Sequence, residues 1–271
     1  MTDTQAAEVT LSLERRDGRP LRIGHRGAPA LALENTLTSF RAAREAGVDL
    51  IEFDVLELRD GDLVVAHSND LLEVSHGAAG GTVRDLSLTS LRSVAPELPT
   101  LDDALAFFVD EASDVGVHLD LKTPSAVGRV EAALARHGLV ERTLVSSFDI
   151  GALRRLAQAG SGIRTGLTLP RATLGITEEG RLAPVARAGL RLLHAALPVL
   201  VGRLLSLSHA TALVLHHTAV SPTAVQRAHT RGAAVVTWTV DDVAELRRVT
   251  GAGVDAVVTN DPRIFASTLD T

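Results

Sequence analysis

The chain has 271 residues with 27 Lys and Arg against 33 Asp and Glu, and its formal net charge of -6 excludes a broad basic nucleic-acid surface. Hydrophobic residues at 45% and charged residues at 22% are globular proportions, enough for one large domain or two small ones, and exclude a wholly disordered chain. Aromatics at 3% leave a core of Ala, Val and Leu and disfavour base stacking, while the absence of Cys excludes disulfides, thiolate metal sites and thiol nucleophiles.

In chain order, Met1-Thr2-Asp3-Thr4-Gln5 lacks a basic region followed by an apolar run, so no secretory signal is visible and a cytoplasmic location is expected. Residues 9–23 read as a hairpin about Asp17-Gly18. Beyond it, short β-branched or Leu-rich runs alternate with stretches of helical period. Strands are expected at 21–24, 50–55, 117–121, 143–146, 164–169, 212–215, 234–239 and 256–259. Helices are expected at 36–46, 101–108, 126–136, 150–159, 184–207, 222–231 and 243–249. Eight such units predict an α/β fold, a (β/α)8 TIM barrel. A doubly wound open sheet is the alternative, because periodicity does not report closure.

Residues 62–99 break the alternation. A short strand at 63–66, returning from Asp60-Gly61, leads into a Gly-rich stretch, and the whole is read as an extended loop region inserted after the second strand of a single domain, 1–271. The most apolar region, 190–215, is interrupted by Arg191, His194, Pro198, Arg203 and His209. Its cleanest stretches fall short of the roughly 18 apolar residues of a span, so no transmembrane segment is expected, only buried helix and strand with one exposed apolar lip.

Ionisable residues cluster where predicted strands end, the place where barrel enzymes hold their active sites. Gly24-His25-Arg26-Gly27 follows the first strand and offers a proton-transfer group beside a planar anion donor, although such a pair also caps loops. In Glu52-Phe53-Asp54 the alternation of strand side chains puts both carboxylates on one face, about 7 Å apart along the backbone. Two anions facing a barrel interior must be protonated, paired or bound to a cation. His118, Asp120 and Lys122 repeat the alternation, so Glu52, Asp54 and Asp120 together could offer hard oxygen ligands to Mg²⁺ or Ca²⁺, with Lys122 neutralising a bound anion or simply pairing with Asp120. His67, after the Asp60-Gly61 turn, could fold back over the carboxylates and serve with His25 in proton transfer, or either imidazole could ligate a metal.

Taken together, His25-Arg26-Gly27, Glu34-Asn35-Thr36, Glu52-Phe53-Asp54-Val55, His67, Pro99-Thr100-Leu101, Asp120-Leu121-Lys122, Ser146-Ser147-Phe148, Trp238-Thr239-Val240 and Thr259-Asn260-Asp261-Pro262 resemble the glycerophosphodiester phosphodiesterase family. The resemblance implies a barrel that hydrolyses a small-molecule glycerophosphodiester to glycerol 3-phosphate and an alcohol with a divalent cation. It implies His25 and His67 as the acid/base pair, and Glu52, Asp54 and Asp120 as metal ligands. Arg26, Lys122 and Trp238 would bind substrate, and Glu34 and Asn35 would support the His25-Arg26 loop. Two departures stand out: Asp120 occupies the place of the family's usual Glu, and Ser68 follows His67 where Asp is common. Phospholipase D-like cleavage of a lysophospholipid or sphingolipid and non-catalytic phosphodiester binding are the alternatives; oligomeric state is left open.

Overall fold

The computed structural model describes residues 10–170 and 183–268. Eight strands close into a parallel barrel. They are β1 (Leu21–Gly24), β2 (Leu50–Glu57), β4 (Gly116–Leu121), β5 (Thr143–Ser147), β6 (Arg164–Leu169), β7 (Ala212–His216), β8 (Ala234–Trp238) and β9 (Ala256–Thr259). β3 (Leu63–Val65) lies antiparallel on β2. The order β1-β9-β8-β7-β6-β5-β4-β2 is completed by direct β1–β2 pairing, which excludes the open sheet and makes this a TIM barrel.

Between the strands run α1 (Leu37–Glu45), α4 (Leu101–Asp110), α5 (Val127–Arg136), α6 (Ile150–Ala159), α7 (Ala183–Ser208), α8 (Pro222–His229) and α9 (Val243–Gly251). Their starts follow local chemistry. Thr36, Thr100, Asp149, Ser221 and Asp242 each accept a hydrogen bond from a first-turn backbone N–H, the role for which short polar side chains are favoured at helix N-termini. The strand faces sort the core into two layers. Ile51, Phe53 and Val55 point outward under α1 and α4, where Phe40, Phe53, Phe107 and Phe108 pack ring against ring. Leu21, Ile23, Leu50, Leu144, Val236 and Val258 fill the lower barrel interior.

The predicted hairpin is reduced to its turn. Residue 9 lies outside the described residues, and pairing is confined to one bridge, Arg16 to Arg19, around Asp17 and Gly18, both at positive φ. The segment before it extends Leu11 and Leu13 into the lower interior cluster, because two Leu side chains gain more by plugging an apolar barrel end than by pairing in an exposed ribbon. Residues 62–99 hold β3, two short helices α2 (Leu71–Val74) and α3 (Leu88–Arg92), and a small core of their own that includes Leu56, Val64, Leu71, Val83, Leu91 and Leu98.

Helix α7 carries the apolar region. Over Arg191–Ser208 it is long and apolar enough, by length and composition alone, to cross a membrane. His194 and Pro198 interrupt the apolar run without adding charge, and the helix continues through Pro198. Its inner face, Leu197, Val201 and Leu205, is packed in the same core cluster as Leu213 and Leu215 of β7, as a barrel helix must be.

Candidate active site

The upper half of the barrel interior is polar. Along β2 the inward positions change from Leu50 to Glu52 and Asp54, and strand register sets Glu52 beside His118, Asp54 beside Asp120, and Asp120 beside Ser146. Glu52, Asp54 and Asp120 are each at most 5% exposed, so three carboxylates share one buried mouth at the C-terminal strand ends.

Two cations answer them. Lys122 Nζ stands 2.8 Å from Asp54 Oδ1 and donates to Asp120 Oδ2 at 2.6 Å, pairing with both candidate ligands at once. Arg26 donates through its backbone N–H to Glu52 Oε2 at 2.9 Å, and its Nε lies 3.3 Å from Asp54 Oδ2. Burial alone would raise the Asp54 carboxyl, but Lys122 and Arg26 outweigh it and hold Asp54 well below the usual carboxylate range. Burial likewise opposes the Lys122 ammonium, and Asp120 and Asp54 reverse that and keep it above the ordinary lysine range. Glu52 is different. Burial, then the charges of Asp54 and Asp120, push its pKa well above normal, and three buried carboxyl groups here stand against the two cations Lys122 and Arg26.

The His25-Arg26 loop is built tightly. Arg26 sits at φ 49° and Gly27 at φ 88°, and a Cβ at Gly27 would stand 2.7 Å from the Ser39 backbone and collide with its hydroxyl. That hydroxyl accepts from Ala28 N at 2.7 Å and donates to Arg26 O at 3.1 Å. Glu34 holds the Arg26 guanidinium through both oxygens, at 2.9 and 3.0 Å, and Asn35 donates its backbone N–H to Arg26 O and its side-chain N–H to Asp54 Oδ2 at 3.1 Å. Both predicted supports therefore touch the loop.

His25 Nδ1 is 2.6 Å from Asn260 Oδ1, and Asn260 donates in turn to Asp241 through Nδ2 at 2.7 Å and its backbone N–H at 2.8 Å. Because Asn260 presents its carbonyl oxygen, Nδ1 carries the proton and Nε2, 3.9 Å from Glu52 Oε2, is the free acceptor. Burial, with Arg26 next, lowers the His25 pKa to about 3, so the ring is neutral at pH 7. His67 follows Ala66, whose N–H bonds to Asp54 O at 3.0 Å, and this join of β3 to β2 brings the ring within electrostatic reach of Asp54. Burial lowers its pKa too, and its Nδ1 is buried without a hydrogen-bond partner among the described residues, 3.8 Å from Glu73. Trp238, at the end of β8, donates Nε1–H to Val214 O at 3.3 Å and meets His216 edge-on at 5.4 Å, leaving the indole half-buried at the rim.

Behind Asp120 stand three groups: His118 and Ser146, named in the sequence without a role, and Thr168, which sequence did not single out. Ser146 donates to Asp120 Oδ1 at 2.5 Å and Thr168 at 3.3 Å, while His118 Nε2 contacts the Ser146 hydroxyl at 3.0 Å. The signal was available in strand alternation, since His118, Ser146 and Thr168 all occupy inward positions. Ser146→Ala leaves a buried carboxylate oxygen and a buried imidazole short of a partner, so urea denaturation is expected to show a loss of about 1–3 kcal/mol; an unchanged midpoint would contradict this network.

Three buried carboxyl groups at one mouth, with Glu52 pushed up by burial and by the charges of Asp54 and Asp120, fit a hard divalent cation. Among the described residues no three Asp, Glu or His side chains already close as a metal cage, because the Lys122 ammonium lies between two of them.

Comparison with known proteins identifies the family. The profile of the glycerophosphoryl diester phosphodiesterase family matches residues 25–264. A glycerophosphodiester phosphodiesterase of Caldanaerobacter subterraneus is 26% identical, over 90% of this chain and 95% of its own. One from Arabidopsis thaliana is 28% identical, over 93% and 74% respectively. Among solved structures, an Oleispira antarctica phosphodiesterase in complex with the product sn-glycerol-3-phosphate superposes with a TM-score of 0.69 at 21% identity, covering 93% of this chain and 97% of that one. A glycerophosphodiester phosphodiesterase from Thermotoga maritima gives 0.70 at 22%, covering 92% and 98%. The chain belongs to the glycerophosphoryl diester phosphodiesterase family and is an enzyme of that class.

Proposed function

We propose that this mouth hydrolyses glycerophosphodiesters to glycerol 3-phosphate and an alcohol, with His25 and His67 moving the protons and Glu52, Asp54 and Asp120 holding a divalent cation, Mg²⁺ or Ca²⁺. The observation that carries the reading is the convergence of three buried carboxyl groups, Glu52, Asp54 and Asp120, on one mouth with His25 Nε2 3.9 Å from Glu52 Oε2. A cation bound there would supply charge neutralisation for an anionic phosphodiester. Lys122, which bridges Asp54 and Asp120, would turn to a nonbridging phosphate oxygen if those two carboxylates held the cation instead. Arg26, anchored by Glu34, presents a fixed guanidinium beside the same place. His25 Nε2 can accept a proton because Asn260 fixes its tautomer, and His67 on the opposing β3 segment can return one to the leaving oxygen. Trp238 offers an apolar wall at the rim.

Product analysis tests the reading. Glycerophosphocholine is expected to yield glycerol 3-phosphate and choline. Cleavage confined to acylated lysophosphatidylcholine would favour the phospholipase D-like alternative, and substrate binding without product would favour a non-catalytic role.

A further inference from the structure

Charge is strongly segregated along this chain. Residues 181–240 contain six Arg and neither Asp nor Glu, within a protein of net charge -6. That stretch builds α7 and α8, which pack against each other. Arg191, Arg203, Arg227 and Arg231 are all exposed, and among the described residues none forms an ion pair. Arg231 reaches from the end of α8 across Gly202 of α7, where an added Cβ would come within 2.8 Å of its guanidinium.

The same face is apolar. Leu192, Val199 and Leu207 are 71%, 84% and 45% exposed, and with Ala195 and Arg203 they lie along one stripe of the helix, opposite the buried Leu197, Val201 and Leu205. At 26 residues, about 39 Å, α7 far outruns the 10-residue α6 before it. His194 Nδ1 meets Thr218 O at 3.0 Å in the turn that leaves β7 at the catalytic rim, so the turns preceding His194 rise beyond the mouth.

We propose that the outer face of α7, flanked by the arginines of α7 and α8, docks this enzyme on an anionic lipid surface. Exposed aliphatic side chains enter the interface between headgroups and acyl chains, and unpaired guanidiniums meet lipid phosphates at its edge. The helix lies on the surface and does not cross it, because its inner stripe is committed to the barrel core.

Co-sedimentation of the full chain with vesicles tests this. Binding is expected to equal parts of phosphatidylcholine and phosphatidylglycerol and not to phosphatidylcholine alone, and to weaken as salt rises. Leu192→Asp with Val199→Asp is expected to weaken it by about tenfold or more, and Arg191→Gln or Arg203→Gln by about fivefold each. All these side chains are exposed, so thermal melts should be unchanged. Failure of the wild type to bind anionic vesicles at low salt, or equal binding by the variants, would overturn the proposal. A dimer dispersed by Val199→Asp, with no vesicle binding, would overturn it in favour of self-association.

Discussion

His25→Ala and His67→Ala are each expected to lower kcat for glycerophosphodiesters by about 10²- to 10⁴-fold, the usual worth of a positioned acid or base. The two rings are prepared differently. His25 is held by a chain of hydrogen bonds through Asn260 to Asp241, which fixes which nitrogen is free. His67 has no such holder and is placed by the β3 backbone. Stopped-time release of glycerol 3-phosphate measures both variants. Near-full turnover in either one would remove that ring from the chemistry. A rise in KM with kcat unchanged would make it a binding group only.

Asp54→Ala is expected to lower folding stability by about 3–5 kcal/mol at pH 7 and to abolish turnover, because Asp54 is the anion shared by Lys122 and Arg26. Its removal leaves Lys122 with Asp120 and Arg26 with Glu34, and sets two largely buried cations near one another without the anion between them. The pH dependence has a definite sign. Asp54 titrates below its ordinary 3.8 in the folded protein, so its contribution is complete above that pH and is lost as the pH falls further. The stability gap between wild type and Asp54→Ala should therefore be full at pH 7 and shrink below about pH 4. A gap that stays constant through acid would show that Asp54 is not held ionised by its neighbours.

Much of the architecture was legible in the sequence because barrel strands are short apolar runs with strict alternation. Leu50-Ile51-Glu52-Phe53-Asp54 declares its helix-facing and interior sides by itself, and the same logic placed Asp120 and Lys122. Local turn chemistry also carried through, as at Asp60-Gly61, where Gly61 adopts φ 92° and the chain returns as β3. What periodicity does not encode is partnership between distant segments. Lys122 satisfies two carboxylates rather than one, and Asn260 and Asp241, distant in sequence, reach His25 from the ends of β9 and β8 because closure sets β9 beside β1. Ser146 and Thr168 hold one oxygen of Asp120 from β5 and β6. The hairpin expectation failed for a related reason. A good turn at Asp17-Gly18 does not pair two strands when Leu11 and Leu13 have a barrel end to fill.

Calorimetric titration of metal-stripped enzyme with Ca²⁺, Mg²⁺ or Mn²⁺, paired with glycerol 3-phosphate release from the same samples, bears most directly on the three-carboxylate mouth. One cation per chain is expected to bind and to restore turnover, and Glu52→Gln is expected to lose both together. Full turnover by the stripped wild-type enzyme, or unchanged cation binding in Glu52→Gln, would contradict the account.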